Sequence, residues 1–130
     1  MKKQKFRYVP RQRIPTPYVP IRLFNKNSLV QNVALVDTGS STNVLPYKLG
    51  IDLGFTWDDS KATIPLSGNV SSLAIPVSMI TIIGMLDPVE LVFAWAGNDI
   101  PPLILGQIDF FTEFHVCFFQ DQGYFEITAK

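Results

Sequence analysis

An all-β domain is expected from three features of this 130-residue sequence. Its apolar runs are short, several alternate with polar residues, and ten prolines and eight glycines interrupt it about every seven residues. A hydrophobic content of 47% against 17% charged residues describes a chain with a packed core rather than a disordered one. The length suits one domain. One cysteine excludes a disulfide framework, and one histidine excludes a His-rich metal cage. A reducing, cytoplasmic setting is therefore expected. Residues 1–13 carry no apolar core behind their basic start, so no signal peptide is read there. The longest apolar-rich stretch, residues 73–86, is shorter than the roughly 20 residues of a spanning helix and contains Pro76 and Gly84, so no membrane span is expected.

The elements follow in order. Pro10, Pro15, Pro17 and Pro20 make residues 1–17 an extended, proline-rich arm, ahead of a domain over residues 18–130. Residues 19–24 read as a strand with Val19, Ile21 and Leu23 on one face. Asn25-Lys26-Asn27-Ser28 supplies turn chemistry, and residues 29–36 return as a second strand. Residues 45–53 form a short helix, opened by Pro46 and closed near Gly54. Residues 61–66 and 70–83 pair as a long hairpin whose tip is Ser67, Gly68 and Asn69. Residues 89–95 and 103–106 are further strands, and residues 107–114 make one or two helical turns. Residues 115–119 and 124–128 close the chain as a hairpin around Gln120-Asp121-Gln122-Gly123. The count is about eight strands and two short helices.

Net charge is zero, but it is distributed unevenly. Residues 1–26 hold eight basic residues and no acid; the remainder holds three basic residues against eleven acids, a formal charge of −8. A basic arm of this kind suits nucleic acid or an anionic membrane surface. It also suits packing against its own acidic body, the reading preferred here because the arm lacks interleaved aromatics. No nucleic-acid partner is expected.

The chemistry concentrates at Ala34-Leu35-Val36-Asp37-Thr38-Gly39-Ser40-Ser41. A carboxylate follows directly on a buried strand, and a glycine two residues later lets a ligand approach the backbone. Alone, Asp-Thr-Gly-Ser reads equally well as an Asx-type turn. The second signal is Leu103-Ile104-Leu105-Gly106, where two apolar residues and a glycine open a short helix. Together, the two segments resemble the retropepsin-like (pepsin-clan) aspartic proteases of the single-lobe, homodimeric type. The order of elements over residues 18–128 matches as well.

The resemblance implies an acid-protease barrel equivalent to one pepsin-like lobe. It implies an endopeptidase that needs no metal or cofactor and activates water between two carboxylates sharing one proton. This chain holds one Asp-Thr-Gly, so the second Asp37 must come from a homodimer with its two-fold axis through the site. Asp37 is then catalytic, Thr38, Gly39 and Ser40 support its loop, and Ile104, Leu105 and Gly106 form the second motif. Ser67, Gly68 and Asn69 sit at the flap tip. Val44, Pro102 and Ile104 are candidate pocket walls for an extended, hydrophobic peptide or protein substrate. A hydrogen bond from Ser40 to Asp37 would lower its pKa and shift the optimum to acid.

Three features depart from the family pattern. The flap hairpin has one glycine at its tip and no aromatic, and Gln107 stands where retroviral members carry an arginine. Ser41 replaces their acidic partner, so that salt bridge cannot form. The terminal strands, which interleave in retropepsins, become the expected dimer device. The alternative reading is a catalytically inactive homodimeric peptide-binding module with the same fold. A fragment of an actin-like phosphotransferase shares the apolar-Asp-x-Gly-Ser string, but that fold needs two large lobes. Residues 1–17 are open to three roles: a propeptide, an interface strand, or a docking arm laid across an acidic cleft. Cys117 and the five phenylalanines at 110, 111, 114, 118 and 119 read as core, Trp57 and Trp95 as packing, and Asp109 and Glu113 as a solvated face.

Overall fold

The computed structural model describes residues 2–66 and 72–130. The arm begins with β1 (Lys3–Arg7), followed by a small hairpin of β2 (Val9–Arg11) and β3 (Ile14–Thr16). β4 (Tyr18–Asn25) and β5 (Ser28–Val36) form the first long hairpin, turning at Lys26 with a positive φ of 53°. Val19, Ile21 and Leu23 face inward, as the alternation requires. Next come β6 (Val44–Leu45), α1 (Tyr47–Asp52), β7 (Ile64–Leu66), β8 (Ser72–Ile83), β9 (Val89–Trp95) and β10 (Ile104–Leu105). α2 (Phe110–Glu113) leads to the final hairpin, β11 (Phe114–Phe119) and β12 (Tyr124–Ala129).

The main sheet runs β4-β5-β10-β6-β9-β8-β7, and β4 also pairs with β8. That extra pairing closes six strands into a barrel, with β7 appended to β8. Closure removes two sheet edges, a common solution for a small all-β domain. Fully buried Leu23, Leu45, Ile83, Leu91, Phe93 and Leu105 fill the barrel. Trp95 stacks on Tyr47 of α1 with ring centroids 5.7 Å apart and meets Trp57 edge-on at 5.1 Å. Both tryptophans are therefore packing residues.

The second sheet, β1-β12-β11, lies beside the barrel. Buried Phe6 and Phe125, stacked at 5.5 Å, and buried Phe110 and Phe114, at 5.2 Å, belong to the same core. Each such ring contributes roughly 1.5–3 kcal/mol of burial. The sheet has only one covered face, and β11 is an edge strand. Cys117 is consequently exposed, and so is Phe118, at 41%. The expectation that both are core is corrected here: the alternation places Cys117 on the outer face with exposed His115, and Phe118 lies near the uncovered end.

β10 positions the site. It threads between β5, to which it is parallel, and β6, to which it is antiparallel (Ile104 pairs with both Leu35 and Val44). Asp37 N donates to Leu105 O at 3.0 Å, so the Asp-bearing turn is tied to the second motif. Gly106 then passes under residues 40–42. A Cβ at 106 would collide with the Thr42 carbonyl and stand 2.8 Å from Ser40 O.

Fully buried Asn43 holds this crossing: its Oδ1 accepts from Gly106 N at 2.8 Å, and its Nδ2 donates to Val92 O at 2.9 Å and Asp109 Oδ1 at 3.0 Å. Asp109 also accepts from Val92 N at 3.2 Å. Asp109 is thus not a solvated residue; its side chain points inward from the head of α2 to bind β9, while Glu113 remains exposed. Burial, with a smaller contribution from the neighbouring Glu113 charge, raises the Asp109 pKa above its ordinary value against the lowering effect of its hydrogen bonds.

Two outcomes follow from this crossing. Gly106→Ala is expected to destabilise the fold by about 3 kcal/mol, because the obstructing atoms are backbone; urea denaturation at fixed protein concentration measures it. The folded chain holds the Asp109 proton more tightly than the unfolded chain does. This group therefore favours folding at low pH, and that contribution is lost as pH rises through the raised pKa. Asp109→Asn keeps an acceptor oxygen without the charge. Stability curves from about pH 3 to 7 should show the wild type losing ground to the variant as pH rises.

Candidate active site

Asp37 sits where β5 ends, and its backbone is fixed by Leu105 from β10. The next turn folds back on the carboxylate: Gly39 N donates to Asp37 Oδ1 at 2.9 Å, and Ser40 N to Asp37 O at 3.2 Å. A Cβ at 39 would stand 3.3 Å from that carboxylate oxygen, so a side chain there would press on the Asp37 carboxylate. The second carboxylate oxygen has no protein partner among the described residues. Asp37 is half-buried at the floor of a groove of about 340 Å³.

Gly39, Ser40, Ser41 and Thr42 form the polar side of the groove. Val44 and Ile104 stand on the apolar side, together with Pro65 and Leu66 of β7. Ile100 and Pro101 complete the lining. Pro102 lies elsewhere, with Arg11, Tyr18 and Leu103 in a different surface groove, so the expectation that it walls this site is replaced by its neighbours Ile100 and Pro101. The chain changes sides between Pro101 and Pro102: Ile100 and Pro101 line this groove, whereas Pro102 and Leu103 line the other. Asp37 is the one ionisable side chain among the described residues lining the groove.

Ser40 departs from expectation. Its hydroxyl donates to Thr42 O at 2.7 Å, not to the Asp37 carboxylate, so it braces the turn. Thr38 is exposed, and its carbonyl accepts from Gln107 Nε2 at 2.8 Å. Gln107 thus joins the Asp loop to the segment after Gly106 with a neutral hydrogen bond, at the position expected to carry arginine. The two segments are further laced by Gln107 N to Ser40 O at 2.9 Å, Ile108 N to Ser41 O at 3.0 Å and Asn43 N to Ile108 O at 2.8 Å.

The structure therefore brings together Asp37, Thr38, Gly39, Ser40, Ile104, Leu105, Gly106 and Val44. The flap-tip candidates Ser67, Gly68 and Asn69 lie outside the described residues. None of the described arm residues lines the groove: Lys3–Arg7 pair with β12 and not with the cleft, which is a correction to the picture of a basic arm laid across it. Asn43 is a supporting residue that sequence reading missed, and Gln107 and Asp109 take supporting roles it did not assign to them. The one signal for Asn43 was a polar residue immediately before the apolar pair Val44-Leu45. Among the described residues, no three His, Cys, Asp or Glu side chains form a set able to hold a metal ion, and no helix is long and apolar enough to cross a membrane.

No protein-family model matches the chain, and no curated protein matches it in sequence. Among solved structures, it is similar to a retropepsin-like aspartic protease from Rickettsia conorii. The two share 19% sequence identity with a TM-score of 0.68, over 98% of this chain and 92% of that one. At that identity the likeness concerns architecture. With the closed barrel and β10 threaded beside the Asp-bearing strand, it establishes that this chain has a retropepsin-like fold.

Proposed function

We propose that the chain is an aspartic endopeptidase that works as a homodimer, with Asp37 of each copy forming the catalytic pair. One observation carries this reading: Asp37 is the one ionisable group among the described residues of a groove otherwise lined by small polar and apolar residues, with one carboxylate oxygen held by Gly39 N. Hydrolysis by carboxyl groups acting as general base and general acid needs two of them in opposite protonation states, which two like charges at close range adopt. A single chain supplies one.

Water held between the two carboxyl groups gives a proton to the ionised one as its oxygen attacks the scissile carbonyl carbon. The protonated partner donates to the carbonyl oxygen. The carboxyl group that took the water proton passes it to the amide nitrogen, the carbon–nitrogen bond breaks, and a hydroxyl of the tetrahedral intermediate gives its proton to the other carboxylate as the carbonyl re-forms, so the pair again holds one shared proton. Val44, Ile104, Pro65 and Leu66 favour apolar side chains flanking the cut. β7 is the last strand of its sheet, so an extended peptide can pair along its free edge.

The test is cleavage of a mixed peptide library from about pH 3 to 7 by the full chain, with and without a statine-type inhibitor. Asp37→Asn should lower the rate by about 10²- to 10⁴-fold, and the inhibitor should suppress the wild-type signal. A folded, dimeric protein that binds peptides without cutting any would replace this reading with that of a peptide-binding module. Ser40→Ala should leave the pH profile of cleavage unchanged and cost about 1 kcal/mol of stability, since its hydroxyl serves Thr42 rather than Asp37. A shifted profile would return Ser40 to the carboxylate.

A further inference from the structure

We propose that the β2–β3 hairpin is a clasp that lies on a second copy of this chain; this rests on the homodimer reading above. Its residues pair only with one another, as a two-stranded sheet, and all but Thr16 are exposed. A free-standing two-stranded hairpin is marginal in water. The tip makes it less favourable still. Gln12 and Arg13 both adopt positive φ, 51° and 68°, where such turns prefer Asn-Gly. A segment with this backbone is retained where surrounding contacts over-determine it, and the chain itself supplies few.

Its position indicates where those contacts come from. Pro17 O, just after β3, accepts from Val36 N at 3.0 Å, one residue before Asp37. Pro15 shares a recess of about 290 Å³ with Tyr8, Phe118, Asp37 and Thr38. Asp37 therefore stands between the groove and the root of the hairpin. A second copy that brings its own Asp37 to this one must approach the same region.

The hairpin surface fits that partner chemically. Val9, Arg11, Ile14 and Thr16 share one face in the observed register, with Val9 46% and Ile14 63% exposed. Arg11 is engaged by the Tyr18 hydroxyl of its own chain, whereas the Arg13 guanidinium has no ion pair or hydrogen bond among the described residues. Residues 27–130 carry a formal charge of −8, so a second copy offers an acidic body to Arg13. Two apolar residues flanked by cations match a protein surface better than a nucleic acid, for which the hairpin has no stacking aromatic.

Sedimentation of the full chain across a concentration series tests this, with far-ultraviolet circular dichroism to verify folding. Ile14→Asp and Arg13→Glu should each raise the dimer dissociation constant about tenfold or more. Added salt should weaken the wild-type dimer more than the Arg13→Glu dimer. Leu29→Asp, at an exposed apolar residue at the far end of β5 from Asp37, should leave dimerisation unchanged. A wild-type dimer that both hairpin variants leave intact, or that Leu29→Asp weakens equally, overturns the clasp and spares the homodimer. A wild type that stays monomeric throughout overturns both.

Discussion

The structure depends on the passage of Ile104-Leu105-Gly106 between two strands distant in sequence. β10 contributes only two residues, yet it pairs with β5 on one side and β6 on the other. Without it the barrel would be open between the strand that delivers Asp37 and the strand that follows its turn. The crossing is so close that residue 106 has no room for a side chain. Asn43 then satisfies the Gly106 amide and, through Val92 and Asp109, fastens the crossing to β9 and α2. A buried polar network of this kind is favourable only when its members are paired, and the Asn43 side chain is bonded through both its oxygen and its nitrogen.

This arrangement explains why Asp37 is carried on rigid backbone. Its amide is bound to β10, its carbonyl and one carboxylate oxygen are bound within its own turn, and the residues of that turn are laced to the segment after Gly106. Gln107 performs a neutral version of a link that an arginine and an acid would make with charge.

The N-terminal segment has two different parts. β1 pairs with β12, and buried Phe6 stacks on Phe125, so this strand belongs to the domain. The hairpin after it belongs to no sheet but its own and rises beside the Asp37 turn. Composition treats both as one basic, proline-rich arm, because charge and proline content do not record which backbone groups find partners.

Much of the architecture was legible in the residues. Alternation marked Val19, Ile21 and Leu23 as an inner face; Pro46 and Gly54 bounded α1; Asn25 to Ser28 and Gln120 to Gly123 made turns. These are local properties, fixed by backbone sterics and period. Asp37, Gly39 and Gly106 could be singled out only because Asp-Thr-Gly and Ile-Leu-Gly occur together in an order that resembles a known family; neither string is distinctive alone, and Ile82-Ile83-Gly84 repeats the second pattern elsewhere in the chain. What the tertiary structure alone decided is which distant groups meet. Asp109 turns inward to β9, Pro101 rather than Pro102 joins Leu66 of β7 in lining the groove, and Cys117 faces solvent on an edge strand. Each outcome depends on the packing of segments far apart in the chain, so no neighbouring residue encodes it.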